Sequence, residues 1–453
     1  MVIMQDALPG LKRFLKPAAL KHRALAFVIR FVAAFVLHCG RMSACQAAGA
    51  VRSEPRHRAQ IGRFLARKFW KKCTWNNLLR TQLLACETKH GEFLFLLDST
   101  LCVQQGHKTE NTFRTGNRKR RPRKGRRYSK YKYARKSCHA FVFGLLLTPS
   151  GMRIPFWKSY YTEAYCKQKG SSHRTQTELA ADLIRELPLP EGTPLRVLGD
   201  TAFDAESIRD ACDARSYKWI VPLNPERVLA GKKPRPKVRS LAEDLKADQF
   251  DTVRLYAGRG RFVAQRRVSP CRVGPKVKPR TFYVHQERRA VHSVGEVLLV
   301  FSTRKLPKRK ERVEVQKILM TNDQSLSPRQ VVELYDLRWQ VELFFKELKS
   351  TLGLHQYRFR EFERVEHWVE MVLTTFLYLE WYRASQLRRR DLPEEKKKWW
   401  RWQRTYGLCL AVRQASEQAD LEQIGDRLES PNGLRRLKRL LRCAVQKEYR
   451  SAV

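Results

Sequence analysis

Two short, unbroken apolar runs constrain the fold of this chain more than any other feature. Residues 92–97 read EFLFLL and are followed by Asp98; residues 195–200 read LRVLGD and end on Asp200. A continuous apolar run of this length, bounded by polar and turn residues, is the pattern of a strand buried on both faces. Such a strand needs helices on either side of its sheet. Helical periodicity runs from Thr175 to Leu187, stopping at Pro188, and again from Asp204 to Ala214. Strands are predicted at 139–148 and 152–161, joined by the turn Pro149-Ser150-Gly151, and at 217–223. The order strand, hairpin, helix, strand, helix, strand predicts an α/β fold with a mixed sheet whose later strands are linked by helical crossovers.

The flanking segments have a different texture. Residues 1–88 carry apolar residues at three- and four-residue spacing, without strand-like alternation, and read as helical. Their most apolar stretch, Ala24 to Leu37, imitates a membrane anchor, but Arg30 sits in its middle. A charge there costs roughly 2.5–3.5 kcal/mol in a membrane helix, and the uninterrupted run falls short of the roughly 20 residues that a span needs. A buried helix of an N-terminal region is expected instead. From 225 to 325 a Lys/Pro-rich linker leads into alternating segments such as TFYVHQ and EVLLVFS, which read as mostly β. A long helix is expected after Pro328, and helices thereafter. The reading divides the chain into 1–88, a helical and DNA-binding region; 89–224, the first part of the core; 225–325, a mostly β insertion; 326–380, completing the core; and 381–453, a basic helical region.

Charge narrows the partner. Lys and Arg number 91 against 44 Asp and Glu, a formal net charge of +47. Self-repulsion on this scale suits a chain whose working partner is a polyanion, and it excludes an ordinary metabolic enzyme as the leading idea. At 43% hydrophobic and 10% aromatic the chain is nonetheless a folded one. Residues 108–136 hold fourteen Lys or Arg and one acid, Glu110, with Tyr128, Tyr131 and Tyr133 interleaved. Beside a buried strand, this run is expected to contact phosphates. The clusters KKKWWRW (396–402) and LRRLKRLLR (434–442) either touch DNA or pack as amphipathic helices. Eleven cysteines without a Cys-x-x-Cys pair point to reduced thiols, in a cytoplasmic protein with neither disulfide framework nor zinc site.

Asp98 and Asp200 stand where buried strands end, the place where carboxylates often line the crevice of an α/β sheet; for either one taken alone, capping a turn is the plain alternative. Asp204 is a rival to Asp200, but is explained as the N-cap of the following helix. His139 is expected to be structural. In PRQVVELYDLRWQVELFFKELKSTLGL, at about 100° per residue, Leu334, Leu337, Val341, Phe344, Phe345, Leu348 and Leu352 form one apolar arc. Tyr335, Arg338, Glu342 and Lys349 form a second arc along its edge, and Glu347 projects away from them. An acid at the border of the core beside a phenol and two cations suits a metal-dependent phosphodiester site: the acid holds an ion and the others clamp phosphate. A solvated helix edge with ordinary i,i+4 pairing is the plain alternative.

The spacing Tyr-(2)-Arg-(3)-Glu-(6)-Lys, together with LRWQVELFFKELKSTLGL, LLDST around Asp98 and LGDTAFD around Asp200, resembles the IS-four-like group of bacterial DDE transposases. The likeness covers roughly residues 90–360. It implies a ribonuclease-H-like catalytic core interrupted by a mostly β insertion, which accounts for the 142 residues between Asp200 and Glu342. It implies that Asp98, Asp200 and Glu342 hold two Mg²⁺ ions, Mn²⁺ substituting, while Tyr335, Arg338 and Lys349 grip DNA phosphates. Trp339 either stacks on an extruded base or packs on the core. The implied partners are double-stranded DNA with terminal inverted repeats, target DNA and a second copy of the chain; no membrane is involved, and the protein is expected in the bacterial cytoplasm with the nucleoid. The implied activity is cutting and joining of element ends, in some members through a DNA hairpin. Two other readings remain: a DNA-binding protein of transposase descent that no longer cuts, and a structure-selective nuclease on the same core.

Overall fold

The structure is a computed structural model describing residues 10–37, 62–66, 74–104, 109–114, 137–231, 235–255, 280–308, 311–385 and 432. The chain divides into two compact units: Met1–Leu79 with Glu347–Tyr357 and His367–Val453, and Arg80–Lys346 with Arg358–Glu366.

The described residues of the first unit are mostly helical. Helix α1 (His22–Leu37) is the apolar stretch of the N-terminal region. Val28, Phe31, Val32 and Phe35 are buried at helical spacing, and Arg30 faces solvent. Phe27 stacks on Phe64 at 4.8 Å, and Phe35 meets Trp368 edge-on at 5.3 Å. Among the described residues no helix is long and apolar enough to cross a membrane. Helix α2 (Thr74–Leu84) begins in this unit. There Asn76 bonds the buried Glu370 carboxylate and accepts from Thr374 Oγ1 at 3.0 Å, so these buried polar groups are satisfied.

The second unit holds a ten-stranded sheet. Its strands are β1 (Phe93–Gln104), β2 (Phe113–Arg114), β3 (Ser137–Leu147), β4 (Arg153–Ser159), β5 (Leu195–Leu198), β6 (Lys218–Pro222), β7 (Asp251–Leu255), β8 (Arg280–Val291), β9 (Gly295–Thr303) and β10 (Lys317–Thr321). The order is β2-β3-β1-β5-β6-β10-β9-β8-β7, with β4 on β3. Strands β1, β3 and β4 pair antiparallel, whereas β1, β5 and β6 pair parallel through crossovers. The apolar run of β1 is fully buried from Leu94 to Leu97. Opposite it, Gly144 of β3 has no room for a side chain, because a Cβ there would fall inside the Phe95 ring.

The helices of this unit are α3 (Glu163–Lys169), α4 (Gln176–Arg185), α5 (Glu206–Asp213), α6 (Val238–Asp244), α7 (Pro328–Asp336) and α8 (Trp339–Lys346). Helix α9 (Phe362–Ser385) starts here and runs on into the helical unit. Thr175 and Glu178 form a capping box that fixes the start of α4. The strands of 225–325 are joined to the sheet, not set apart: β10 pairs antiparallel with both β6 and β9, so β7–β9 continue the same surface. Pairing with β10 closes an edge that β6 would otherwise leave open.

The long helix expected after Pro328 is interrupted. Helix α7 starts with Ser327 as N-cap and Pro328 at its first position and ends at Asp336; α8 restarts at Trp339. The next five residues, Glu347–Thr351, form a π-helical turn. Residues 396–402 and 434–442 and most of 108–136 lie outside the described residues.

Candidate active site

The register of the parallel strands brings the first two acids together. Phe93 to Leu96 pair with Leu195 to Leu198, and the same offset carried two residues on sets Asp98 level with Asp200. Pairing between β1 and β5 has stopped by then, although β1 itself continues along β3 to Gln104. The two carboxylates therefore sit where neighbouring parallel strands diverge, at the carboxyl end of β5, the kind of crevice where open α/β sheets bind ligands. The Asp98 Oδ1 accepts from the Ser99 backbone N–H at 2.7 Å; the Asp200 Oδ1 accepts from Ala202 N–H at 2.9 Å and caps the single 3₁₀ turn Thr201–Phe203.

Helix α8 supplies the third acid. Phe344 and Phe345 meet Phe143 of β3 edge-on at 5.7 and 5.5 Å, fastening α8 to the sheet. On its exposed side the guanidinium of Arg338, at the junction of α7 and α8, donates to Asp98 Oδ2 at 3.2 Å and to Glu342 Oε1 at 2.9 Å. Burial, with the nearby Asp200 and Glu342 charges, raises the Asp98 carboxyl to about 6 despite the Ser99 hydrogen bond and Arg338. Burial disfavours the charged form of Arg338, but Tyr335, Asp98, Glu342 and Asp200 outweigh it and raise its pKa. Burial also pushes the Tyr335 phenol up to about 12, so it is a neutral hydrogen-bonding group at neutral pH.

Asp98, Asp200, Glu342, Tyr335 and Arg338 are thus neighbours in one unit. Trp339 is 57% exposed, which corrects the packing alternative: its indole is not held by the core. Lys349 falls in the π-helical turn and belongs to the other unit, as does the buried Glu347. His139 is buried, its Nε2 2.9 Å from the Glu110 carbonyl oxygen. Asp204 differs from expectation. Ala205, not Asp204, is the N-cap of α5, and the Asp204 carboxylate takes both Arg209 and Arg227 at 2.7 Å. Two arginines outbid the free helix N–H groups because charge-assisted bonds are the stronger ones.

Three carboxylates offer the hard oxygen donors that Mg²⁺ prefers, and a cation beside Asp98 would favour its charged form against the burial, and the lesser Asp200 and Glu342 charges, that raise its carboxyl. Among the described residues no trio of acids is close enough to close around an ion. The Arg338 guanidinium stands between two of the acids as their counter-charge. The donor chemistry fits; an entering cation has to take over from Arg338.

Residues 90–378 match the family model of the transposase DDE domain. The chain belongs to that family. No curated protein matches it. The matched span of this transposase runs from just before β1 into α9 and so contains the whole sheet and the neighbourhood of Asp98, Asp200 and Glu342.

Sequence reasoning passed over two cations of the transposase domain, Lys317 and Arg304. The Lys317 ammonium lies 4.9 Å from the centre of the Tyr335 ring. A basic residue in so basic a chain offers no contrast; only the pairing of β10 with β9 sets it beside the site.

Proposed function

We propose that this chain cuts the ends of its own insertion sequence and joins them to target DNA, in the manner of the IS-four-like group. The observation that carries the reading is Arg338 bonded to both Asp98 and Glu342, with Asp200 level with Asp98 on the neighbouring strand, inside a transposase DDE domain. The order β4-β3-β1-β5-β6, antiparallel for the first three and parallel for the last three, supports a ribonuclease-H-like core. The antiparallel addition of β7–β10 after β6 accounts for the long gap before Glu342.

Asp98, Asp200 and Glu342 would hold two Mg²⁺ ions, which supply charge stabilisation and activation for in-line displacement at phosphorus. Arg338, freed from the acids, turns its planar fork to the phosphate, for which guanidinium is the best-matched side chain. The neutral Tyr335 phenol donates to a phosphate oxygen, and a phosphate-gripping role for Lys349 rests on the family resemblance alone. Trp339, exposed next to Arg338, offers a stacking face to an unpaired base. In the first step a water oxygen bonds to phosphorus as the bond to the 3′-oxygen breaks, releasing a 3′-hydroxyl. In the second, that hydroxyl displaces a 3′-oxygen of target DNA. Terminal inverted repeats are the expected substrate, and a pair of chains on paired ends the expected assembly.

The test mixes duplex DNA carrying the gene's flanks with the full chain, with and without Mg²⁺, and maps 3′-ends on both strands. Breaks at the outer edges of inverted repeats are expected for wild type, and Asp98→Asn should bind the same DNA without cutting it. Cutting by Asp98→Asn near the wild-type rate would remove Asp98 from the site. Tight binding by wild type without breaks would make the chain a binding protein that has lost its chemistry.

A further inference from the structure

The cations around the acids are not all accounted for. Arg338 is bonded to Asp98 and Glu342, and Arg280, at the start of β8, is paired with Asp336. Lys317 and Arg304 have no carboxylate partner among the described residues. Both are exposed at the end of the β9–β10 pair nearest Tyr335. Lys317 pairs across the ladder with Ser302, and Arg304 is the first residue past the end of β9, near enough for its charge to act on Lys317.

Although exposed, each cation lies against an aromatic face. The Lys317 ammonium is held over the Tyr335 ring, and the Arg304 guanidinium lies 5.2 Å from the centre of the Phe282 ring. The backbone N–H of Arg304 donates to Gln316 Oε1 at 3.3 Å, tying its position to the start of β10. Partial burial, with Arg338 and Arg304 nearby, depresses the Lys317 pKa. Two like charges lie over aromatic rings beside a third on Arg338, and the repulsion at Lys317 outweighs the attraction of the Asp336 and Glu342 carboxylates. The complement of this cluster is an anion with several oxygens.

We propose that Lys317 and Arg304 form a phosphate-binding subsite, continuous with Tyr335 and Arg338, that holds the sugar–phosphate backbone of duplex DNA beside the cut. This subsite rests on the DNA-cutting reading given above. It extends the DNA path from the helix carrying the third acid onto the strand ends of the segment 225–325, so that segment grips substrate as well as completing the sheet. Backbone contact positions the duplex without reading its sequence, so the effect is the same on any duplex.

The experiment measures DNA affinity of the full chain against salt, without divalent metal, using a fluorescein-labelled duplex with the gene's flanks and a scrambled duplex. The variants are Lys317→Gln, Arg304→Gln, the double variant, Lys317→Arg and, as control, Lys167→Gln on the exposed side of α3. Removing one cation that neutralises a phosphate lowers the slope of log affinity against log salt by about 0.9. Each Gln variant is therefore expected to lower the slope by about 1, and the double variant by about 2, on both duplexes. Lys317→Arg should restore the slope, and Lys167→Gln should leave it unchanged. A double variant with wild-type slope and affinity overturns the subsite. Cleavage by wild type in Mg²⁺ is scored in parallel. Wild type that cuts while the slopes stay put keeps the DNA-cutting reading and loses the subsite. Falling slopes with no cutting do the reverse, and wild type that binds no duplex overturns both.

Discussion

Arg338 controls the electrostatics of the acids because it is the group that Asp98 and Glu342 share. Replacing it with Gln leaves two nearby carboxylates without their common counter-charge, in a place where burial already disfavours the ionised Asp98. Arg338→Gln is expected to lower the stability of the metal-free protein by about 1–2 kcal/mol, the range for a half-buried charged hydrogen bond. A cation entering wild type must displace Arg338, whereas in the variant it meets unopposed acids. Mg²⁺ should therefore raise the melting temperature of Arg338→Gln more than that of wild type, read by differential scanning fluorimetry over an Mg²⁺ series. Equal shifts in the two proteins would show that Arg338 and the ion do not compete for the acids. That Asp98, Asp200 and Glu342 stand near one another was legible from sequence, since two buried apolar runs lead to the first two and the third lies on the edge of an apolar arc. Asp204 was misread because local sequence shows a helix start, but not the distant Arg227 that claims its carboxylate. Lys317 and Arg304 gave no local signal at all.

At the scale of elements, the site depends on β3, which pairs with β1 along its length, and His139 shows how that strand is anchored. Its imidazole is fully buried, 4.9 Å from the Phe362 ring at the start of α9, and lies against the Glu110 carbonyl. Burial lowers its pKa to about 4, although the bond to Glu110 opposes this. The folded state thus prefers the neutral ring, while the unfolded chain takes up a proton near its ordinary value of 6.5. Stability is unaffected above that value and is lost as pH falls from about 6.5 toward 4, by about 3–4 kcal/mol in all at 1.36 kcal/mol per unit. His139→Gln keeps a donor but cannot titrate. Its deficit relative to wild type should be largest at pH 7 and shrink toward pH 4.5, followed by urea unfolding at each pH. A deficit that stays constant would mean that the imidazole takes up its proton in the fold as readily as in the unfolded chain. Hairpin β3–β4 and the strands bearing the acids were readable because local turn residues and apolar runs encode them. The break between α7 and α8 was not, since neither Leu337 nor Arg338 forbids helix; there the backbone N–H groups of both bond three residues back, not four. Nor was the joining of β10 to β6, because pairing between distant strands leaves no mark in either one alone.

For the whole molecule the dominant fact is a net charge of +47. Compact folding brings these charges closer together than they are in the unfolded chain, so repulsion weighs against the native state at low ionic strength. The screening length shrinks from about 10 Å at 0.1 M salt to about 3 Å at 1 M, which removes the repulsion between separated cations and spares the close pairs such as Arg338–Glu342. The melting temperature should therefore rise by several degrees between 50 and 500 mM NaCl, against the usual loss of stability when ion pairs dominate. A duplex of any sequence, added at 50 mM NaCl, should give a comparable rise, because ligand binding to the folded state stabilises it by mass action. The two effects should not add. At 500 mM NaCl the duplex should have almost no effect, since counterion release no longer drives its binding. A neutral polymer at equal mass concentration controls for crowding, which contributes only a small fraction of such a shift. A melting temperature that is flat or falling with NaCl would mean that the positive charge is already balanced within the fold. DNA would then have to be held by few contacts, with the bulk of the lysines and arginines taking no part.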